Sequence, residues 1–530
     1  MDDRVIVVGA GTMGTGIALL AARGGYAVEV IEPDASARER GLARLRKDAE
    51  RADYGREALE RITWSERIAA KSDATIAIEA VPERFELKRE VFIALAAALP
   101  PNALLATNTS SLSVQQIADA TVHPERVLGM HFFNPPAAMK LVEIVAAADT
   151  TDETLNRARE FVAKIERVGV LAADTPGFIV NRIARPFYLQ SMRALGRGVA
   201  SVEELDALAR ASGFRMGPFE LMDLIGMDVN LATSESVYER LDAPRLAPLD
   251  LQRRMVEEGR LGRKCGAGFY DYSSGMPGRL DLTPEDPGEE INEDEYVALV
   301  GFGGVADEMA ELLTQRYAHV ERIENDEFLD TISADTTIVI DVGEGSIDRG
   351  EVLAQLDSVL APETVIFADA YATDIDAAAA ATRHPERLVG YGIVGALQSQ
   401  SAVEIVDTAD VSDDSLALAQ EIFAAIGKGS VLVENVPGLF LGRLVASIVN
   451  EAVMAVHEDV ATPDDIDLAM RLGVNYPIGP IAWGREIGGA RVARILHRLA
   501  ESEGSEFAPN RSLWVLDIDQ EPEAPVDAGS

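Results

Sequence analysis

The chain reads as an α/β protein in two tandem copies, each an open parallel sheet followed by an all-helical domain, with the second copy degenerate. Three observations predict this. An apolar run, Val5 to Val8, leads straight into the glycine loop Gly9-Ala10-Gly11-Thr12-Met13-Gly14. Short apolar runs then alternate with helical spacing up to about residue 175, as βαβ units do. Finally, blocks of sequence recur at constant offset. His123-Pro124-Glu125-Arg126 returns as His384-Pro385-Glu386-Arg387, Val142-Glu143-Ile144-Val145 as Val403-Glu404-Ile405-Val406, and Pro176-Gly177 as Pro437-Gly438, each 261 residues on.

The loop carries a dinucleotide fingerprint in the order its physics requires. Gly9 allows the strand-to-helix turn, Gly11 lets backbone approach a pyrophosphate at the helix N-terminus, and Gly14 lets helix pack on strand. Glu32 closes the next apolar run, placed to take ribose hydroxyls and to repel a 2′-phosphate, which favours NAD over NADP. Thr12 and Met13 complete the loop, and the helical stretch Thr15–Arg23 follows it. Strands are expected at Val5–Val8, Ala27–Ile31, Ala74–Ile78, Ala103–Ala106, Val127–Met130 and Leu141–Val145. Each copy is therefore read as a Rossmann domain followed by helices: 1–176 and 177–282 in the first, 295–436 and 437–510 in the second, then an acidic tail over 511–530. The Pro-, Gly- and acid-rich stretch 275–295 reads as the linker between copies. Upstream in the second copy the offset becomes 292, with Gly9 on Gly301, Gly11 on Gly303 and Glu32 on Glu324. About 30 residues are thus missing just after its second strand.

Composition narrows the function. The net charge of −40 argues against a nucleic-acid binder. Residues 1–280 hold 35 Lys+Arg against 39 Asp+Glu, whereas residues 281–530 hold 13 against 49. The first half keeps the positive groups a polyanionic ligand needs. The excess acid otherwise reads as solubility or adaptation to high salt. Cys265 is the one cysteine, so no intramolecular disulfide forms, which fits a cytoplasmic location. No signal peptide or membrane span is expected, because the apolar stretch Val91–Ala106 is broken by Pro100 and Pro101. The six histidines show no metal-ligand spacing.

Three polar clusters follow the glycine loop: Thr107 to Ser113, His131 to Asn134 running on to Lys140 and Glu143, and Asp174 to Arg182. Each falls at the carboxyl end of a strand or the start of a helix, where open α/β sheets bind ligands. His131 is the natural proton-transfer group. A histidine beside Phe132 and Phe133 is also a common packing residue, but Glu143 on the next strand could hold one imidazole nitrogen and leave the other for substrate. Ser110 and Asn181 supply donors for a substrate oxygen, or equally cap helices.

These clusters resemble those of the L-3-hydroxyacyl-CoA dehydrogenases of fatty-acid β-oxidation. The matching strings are VGAGTMGTGIA, TNTSSLS, GMHFFNPP with KLVEIV, DTPGFIVNR, GFRMGPFELMDLIG and GRKCGAGFYDY, covering most of residues 4–272 in family order. The resemblance implies His131 as catalytic histidine, Glu143 as its carboxylate partner, and Ser110 and Asn181 as substrate contacts. It implies that Glu83, Lys88, Ser110, Asn134 and Lys264 line the NAD site. It also implies a CoA-cradling helical arm, here about 37–72. By position Arg44 and Arg51 of that arm are the expected CoA contacts, although a basic helix is also an ordinary solvated face. The expected reaction is NAD-dependent oxidation of an (S)-3-hydroxyacyl-CoA, with an acyl-CoA thioester as partner.

The second copy is expected to be silent. His131 falls on Gly392, Asn134 on Gly395, Ser110 on Tyr371, Asn181 on Gly442 and Gly14 on Ala306, leaving Glu404 without a histidine. Family helical domains associate in dimers, so the second helical domain could supply that contact inside the chain, as an internal pseudo-dimer or within a homo-oligomer. Overall layout resembles long bacterial forms, including 3-hydroxyadipyl-CoA dehydrogenases of phenylacetate breakdown. A dicarboxylic substrate is therefore one alternative. A non-catalytic NAD-binding scaffold is another, opposed by the intact polar set of the first copy.

Overall fold

The computed structural model describes residues 4–51, 55–285, 291–343, 349–371 and 373–517. The part of the expected acidic tail beyond residue 517 lies outside them. The described chain forms two compact units that do not follow chain order. One comprises Met1–Ala184, Glu235–Asp242 and Ala455–Asn475, the other Arg185–Ser234, Ala243–Met454 and Tyr476–Ser530.

The first unit is built on eight strands: β1 (Arg4–Val8), β2 (Ala27–Ile31), β3 (Ile62–Ser65), β4 (Ile76–Glu79), β5 (Leu104–Thr107), β6 (Val127–Phe132), β7 (Leu141–Ala146) and β8 (Val168–Ala173), in the order β3-β2-β1-β4-β5-β6-β7-β8. Side chains alternate across a strand, so β1 feeds two cores. Val5 and Val7 join Ile17, Val28, Val30, Ile78 and Phe161 on one face. Ile6 and Val8 join Ala77, Phe92, Leu95 and Leu105 on the other. Helices α1 (Thr12–Arg23), α2 (Ala35–Arg51), α3 (Gly55–Glu60), α4 (Phe85–Ala98), α5 (Val114–Ala118), α6 (Asp152–Lys164) and α7 (Val180–Ile183) complete this part. Each fully buried side chain such as Phe92 or Ile78 contributes about 1.5–3 kcal/mol.

Two strands were not expected. β3 is a half-exposed edge strand inside the arm, and β8 buries only alternate residues, so neither gives a continuous apolar run. The sheet is also not wholly parallel. β6 and β7 pair antiparallel, because the short connection between them leaves no room for a crossover helix.

The second unit repeats the plan with seven strands: β9 (Asn292–Val300), β10 (Tyr317–Ile323), β11 (Ile338–Asp341), β12 (Val365–Asp369), β13 (Leu388–Gly392), β14 (Ala402–Asp407) and β15 (Gly429–Glu434), in the order β10-β9-β11-β12-β13-β14-β15. Counterparts of α2, α3 and β3 are missing among the described residues, which is where the deletion falls. The glycine loop is rebuilt as well. Gly303 takes a left-handed φ of 91°, where Gly11 has −68°, although the helix begins at Gly304, the counterpart of Thr12. Ala306, in the place of Gly14, is accommodated with no exposed surface.

The helices of the first half are α8 (Arg185–Gly196), α9 (Val202–Ala211), α10 (Pro218–Ile225), α11 (Met227–Leu241) and α12 (Asp250–Glu257). Those of the second are α13 (Gly304–Thr314), α14 (Arg349–Val359), α15 (Ile375–Ala381), α16 (Asp413–Ala425), α17 (Leu441–His457), α18 (Pro463–Gly473), α19 (Pro480–Ile487) and α20 (Gly489–Glu503).

The two halves exchange elements. Within the first unit α18, from the second half, packs on β7, β8 and α7, and the Ala173 N–H donates to the Val460 carbonyl at 2.8 Å. Within the second unit α9, from the first half, packs on β14, and the Glu434 N–H donates to the Val199 carbonyl at 3.0 Å. Ala173 and Glu434 are repeat equivalents, as are Val199 and Val460. Division in chain order at residues 176 and 436 therefore does not describe the compact units, because each half buries helical surface against the sheet of the other. Among the described residues no helix is long and apolar enough to cross a membrane.

Candidate active site

The antiparallel pairing of β6 with β7 sets His131 directly opposite Glu143. The imidazole Nδ1 lies 2.5 Å from Glu143 Oε2, and both residues are buried. The other carboxylate oxygen, Oε1, accepts from the backbone N–H groups of Ile179 at 3.0 Å and Val180 at 2.9 Å. One oxygen is thus fixed by the start of α7 and the second by the histidine. A carboxylate on Nδ1 sets the tautomer and leaves Nε2 as the nitrogen available to a substrate. Phe133 and Phe178 flank the ring, with centroids 4.7 and 5.7 Å away. They give the pair the apolar walls that the sequence offered as a packing alternative.

Ser110 is exposed on the loop after β5. Glu83 clasps this loop. Its Oε1 accepts from Thr109 Oγ1 (2.5 Å), the Ser110 N–H (3.0 Å), the Ser111 N–H (3.0 Å) and Ser111 Oγ (2.9 Å), while Oε2 pairs with Lys88 at 3.1 Å. Burial pushes the Glu83 carboxyl up, but the Lys88 charge and these donors outweigh it and hold it at about 2. Asn108 ties the loop to the histidine strand, its Oδ1 accepting the Phe132 N–H at 2.8 Å. Asp174 Oδ2 accepts from Ser113 Oγ at 2.7 Å and the Gln115 N–H at 2.8 Å, pinning the helix that follows. Sequence reasoning quoted Asn108 and Asp174 inside motifs but gave them no task. Their signal was an Asn and an Asp at strand ends, beside backbone donors.

Lys88 departs from its expected place in the NAD site. It has no exposed surface, and its ammonium is spent on Glu79 (2.8 and 3.0 Å) and Glu83. It acts on the site through Glu83. A lysine nine residues beyond the end of a strand can fold back beneath that strand's last carboxylate, which spacing alone does not reveal.

The dinucleotide side is a cavity of about 750 Å³ lined by Gly9, Gly11, Thr12, Met13, Glu32 and residues of α2. A Cβ on Gly9 would meet the Ala80 carbonyl at 2.6 Å, and Gly9 has a φ of 108°. The first turn of α1 has no side-chain cap, so its N–H groups suit a pyrophosphate. Glu32 is held ready: its carboxylate accepts from the N–H groups of Ala10 at 3.1 Å and Asp34 at 3.2 Å. Gly14 lies behind the loop, where a Cβ would fall 2.0 Å from the Gly9 carbonyl. Its part is close packing. These residues fit an NAD molecule.

Arg44 was expected to contact CoA, and the structure places it at the dinucleotide cavity. It lines this cavity together with Arg40 and Arg67, and its guanidinium donates to the Ala10 carbonyl at 3.4 Å. Arg40 and Arg44 are four apart on α2 and share a face. The side chain of Arg51, at the end of α2, lies outside the described residues. Asn134 is exposed just beyond β6, before a cis peptide to Pro135. Asn181 is the second residue of α7, next to the amides that hold Glu143. Lys264 belongs to the second unit, where it pairs with Asp228.

The corresponding place in the second copy is closed. Tyr371, where Ser110 would stand, donates its hydroxyl to Glu404 at 2.7 Å. A Cβ on Gly392 would lie 2.4 Å from that ring, and one on Gly442 2.8 Å from it. Tyrosine thus fills the volume of both the missing histidine and the missing asparagine. Burial pushes Glu404 up to about 7, against the hydrogen bonds from Tyr371, Phe440 and Leu441.

A glycine loop with a ribose-directed acid, beside a histidine–carboxylate pair at the strand ends, defines a nicotinamide-dependent dehydrogenase. Comparison with known proteins makes this specific. Residues 4–175 and 305–436 match the family model described as "3-hydroxyacyl-CoA dehydrogenase, NAD binding domain". Residues 177–272 and 438–526 match "3-hydroxyacyl-CoA dehydrogenase, C-terminal domain". The chain is 35% identical to the 3-hydroxyadipyl-CoA dehydrogenase of Escherichia coli K12 over 512 residues, 95% of this chain and 94% of that one. It is 39% identical to the 3-hydroxybutyryl-CoA dehydrogenase of Mycobacterium tuberculosis H37Rv over 281 residues, 51% of this chain and 98% of the relative. A crystal structure described as 3-hydroxybutyryl-CoA dehydrogenase from Escherichia coli K12 aligns with a TM-score of 0.76 at 33% identity, covering 97% of this chain and 98% of that one. The chain belongs to the 3-hydroxyacyl-CoA dehydrogenase family, as a tandem duplication. It is an NAD-dependent enzyme of 3-hydroxyacyl-CoA oxidation.

Proposed function

We propose that the first half carries the groups that react with substrate and cofactor and the second half none of them. The observation that carries this reading is the His131–Glu143 pair at 2.5 Å, anchored by two backbone amides, set against the tyrosine-filled counterpart. His131 Nε2 takes the proton of the substrate 3-hydroxyl. Glu143 stabilises the imidazolium that results and keeps the ring turned toward substrate. Ser110 and Asn181 orient the hydroxyl and the acyl carbonyl. Bound NAD supplies the hydride acceptor, so C3 loses a hydride and its hydroxyl a proton, giving a 3-ketoacyl-CoA. Gly9, Gly11, Thr12, Met13 and Glu32 hold the dinucleotide, with Arg40 and Arg44 at its edge, and Asn134 completes this part of the cofactor site.

The test is NADH oxidation with acetoacetyl-CoA and with 3-oxoadipyl-CoA, by wild type and His131→Ala. Turnover that collapses in the variant supports the reading. Full activity in the variant sinks it. A dicarboxylic substrate is the second reading, favoured by the full-length match to a relative named for 3-hydroxyadipyl-CoA. The ratio of the two rates decides between them.

The exchanged helices further support an internal pseudo-dimer, in which one chain supplies both sides of a contact otherwise made between subunits. A cytoplasmic location is proposed on the single cysteine, and cell fractionation tests it.

A further inference from the structure

Arg182 follows Asn181 on α7 and is completely buried. Its guanidinium pairs with Glu458 at 2.6 Å, an acid contributed by the second half of the chain and 40% exposed. A carboxylate beside a buried guanidinium offsets part of the cost of holding that charge away from water and fixes its orientation. Two residues beyond Glu458, the Val460 carbonyl accepts the N–H of Ala173 at the end of β8. α18 then runs back against the site. A Cβ on Gly473 would come within 2.8 Å of Leu141 and 3.0 Å of Val180. Leu141 opens the strand that carries Glu143, and the Val180 amide is one of the two that hold Glu143. One segment of the silent half therefore packs on the strands and the helix start that carry and hold the catalytic carboxylate.

The hydrogen bond and the packed helix have counterparts in the second copy, where the Glu434 N–H donates to the Val199 carbonyl, but the ion pair does not. Arg182 falls on Arg443, but Glu458 falls on Arg197, so the charge at that position is reversed. Arg443 takes its carboxylate from Glu503, within its own half. Glu503 also pairs with Arg197 at 3.1 Å, so a basic residue stands in the second copy where the active copy has its acid.

We propose that Glu458 is a positioning residue for the His131–Glu143 pair, acting through Arg182 and α7, and that the degenerate half completes the active site in this way. The proposal rests on His131 as the proton acceptor. Full-length Glu458→Gln and Glu458→Asp are compared with wild type in single-turnover stopped flow, with NADH and acetoacetyl-CoA. The rate constant reports geometry in the folded molecules, and the amplitude reports how many are folded. In Glu458→Gln the rate constant should fall about tenfold with the KM for NADH within about twofold, and Glu458→Asp should recover most of it. A wild-type rate constant in Glu458→Gln, with or without lost amplitude, overturns the proposal. His131→Ala in the same assay keeps the outcomes separate. If it retains wild-type turnover the reading of the base has failed. If it is dead while Glu458→Gln is normal, only the bracing has failed.

Discussion

His131 and Glu143 do their work because each has one task fixed by its neighbours. Two amides hold one Glu143 oxygen, so its second oxygen is committed to the imidazole. His131→Ala should lower kcat by about 10²–10⁴-fold while NADH still binds, as loss of a general base does. Fluorescence titration of NADH checks the binding half of that statement. Arg44 separates two assignments at the same scale. From its place in the dinucleotide cavity, Arg44→Ala should raise the KM for NADH severalfold and leave that for acetoacetyl-CoA near wild type. The reverse pattern would return Arg44 to CoA. Both residues stand in motifs visible in the sequence. The direction in which Arg44 points does not, because helical spacing gives a face and not what the face meets.

At the scale of an element, the loop from Asn108 to Ser113 is kept in shape by Glu83. The Glu83 carboxyl, held at about 2 in the fold, lies below its ordinary value of 4.5. Its contribution to the fold is therefore complete above about pH 4.5 and is lost as pH falls from there through about 2. Hydrogen-exchange protection of residues 109–112 should decline over that window. In Glu83→Gln it should already be reduced at pH 7, with a raised KM for acetoacetyl-CoA. The buried Glu79–Lys88 pair behind it is legible only in the structure, although both residues are plain in the sequence. Their contact depends on α4 folding back across the end of β4.

Across the whole molecule, the second compact unit carries a different pH signature. Burial pushes Asp206 and Glu404 up to about 7 and Asp341 to about 6. Carboxyls raised in the fold bind protons more tightly there than when unfolded, so stability falls as pH rises from about 4 to about 7. Thermal unfolding should show a smaller loss between pH 5 and pH 8 in Glu404→Gln than in wild type, with NADH oxidation unchanged. The exchange of α9 and α18 between the sheets leads to a second expectation at this scale. The full-length chain should run in light scattering at the mass of one chain, and a stable dimer would count against the internal pseudo-dimer.

The sequence by itself determined the duplication, the glycine loop and its acid, the candidate polar set and the loss of that set in the second copy. Those features are local, set by spacing and residue type along a few consecutive positions. The antiparallel turn that sets His131 opposite Glu143, the burial of Lys88, the filling of the second site by Tyr371 and the reach of Glu458 to Arg182 were decided by tertiary structure. Each of these contacts joins residues 9 to 276 positions apart. Such contacts are chosen by which apolar faces pack together, and the order of residues along the chain does not specify that.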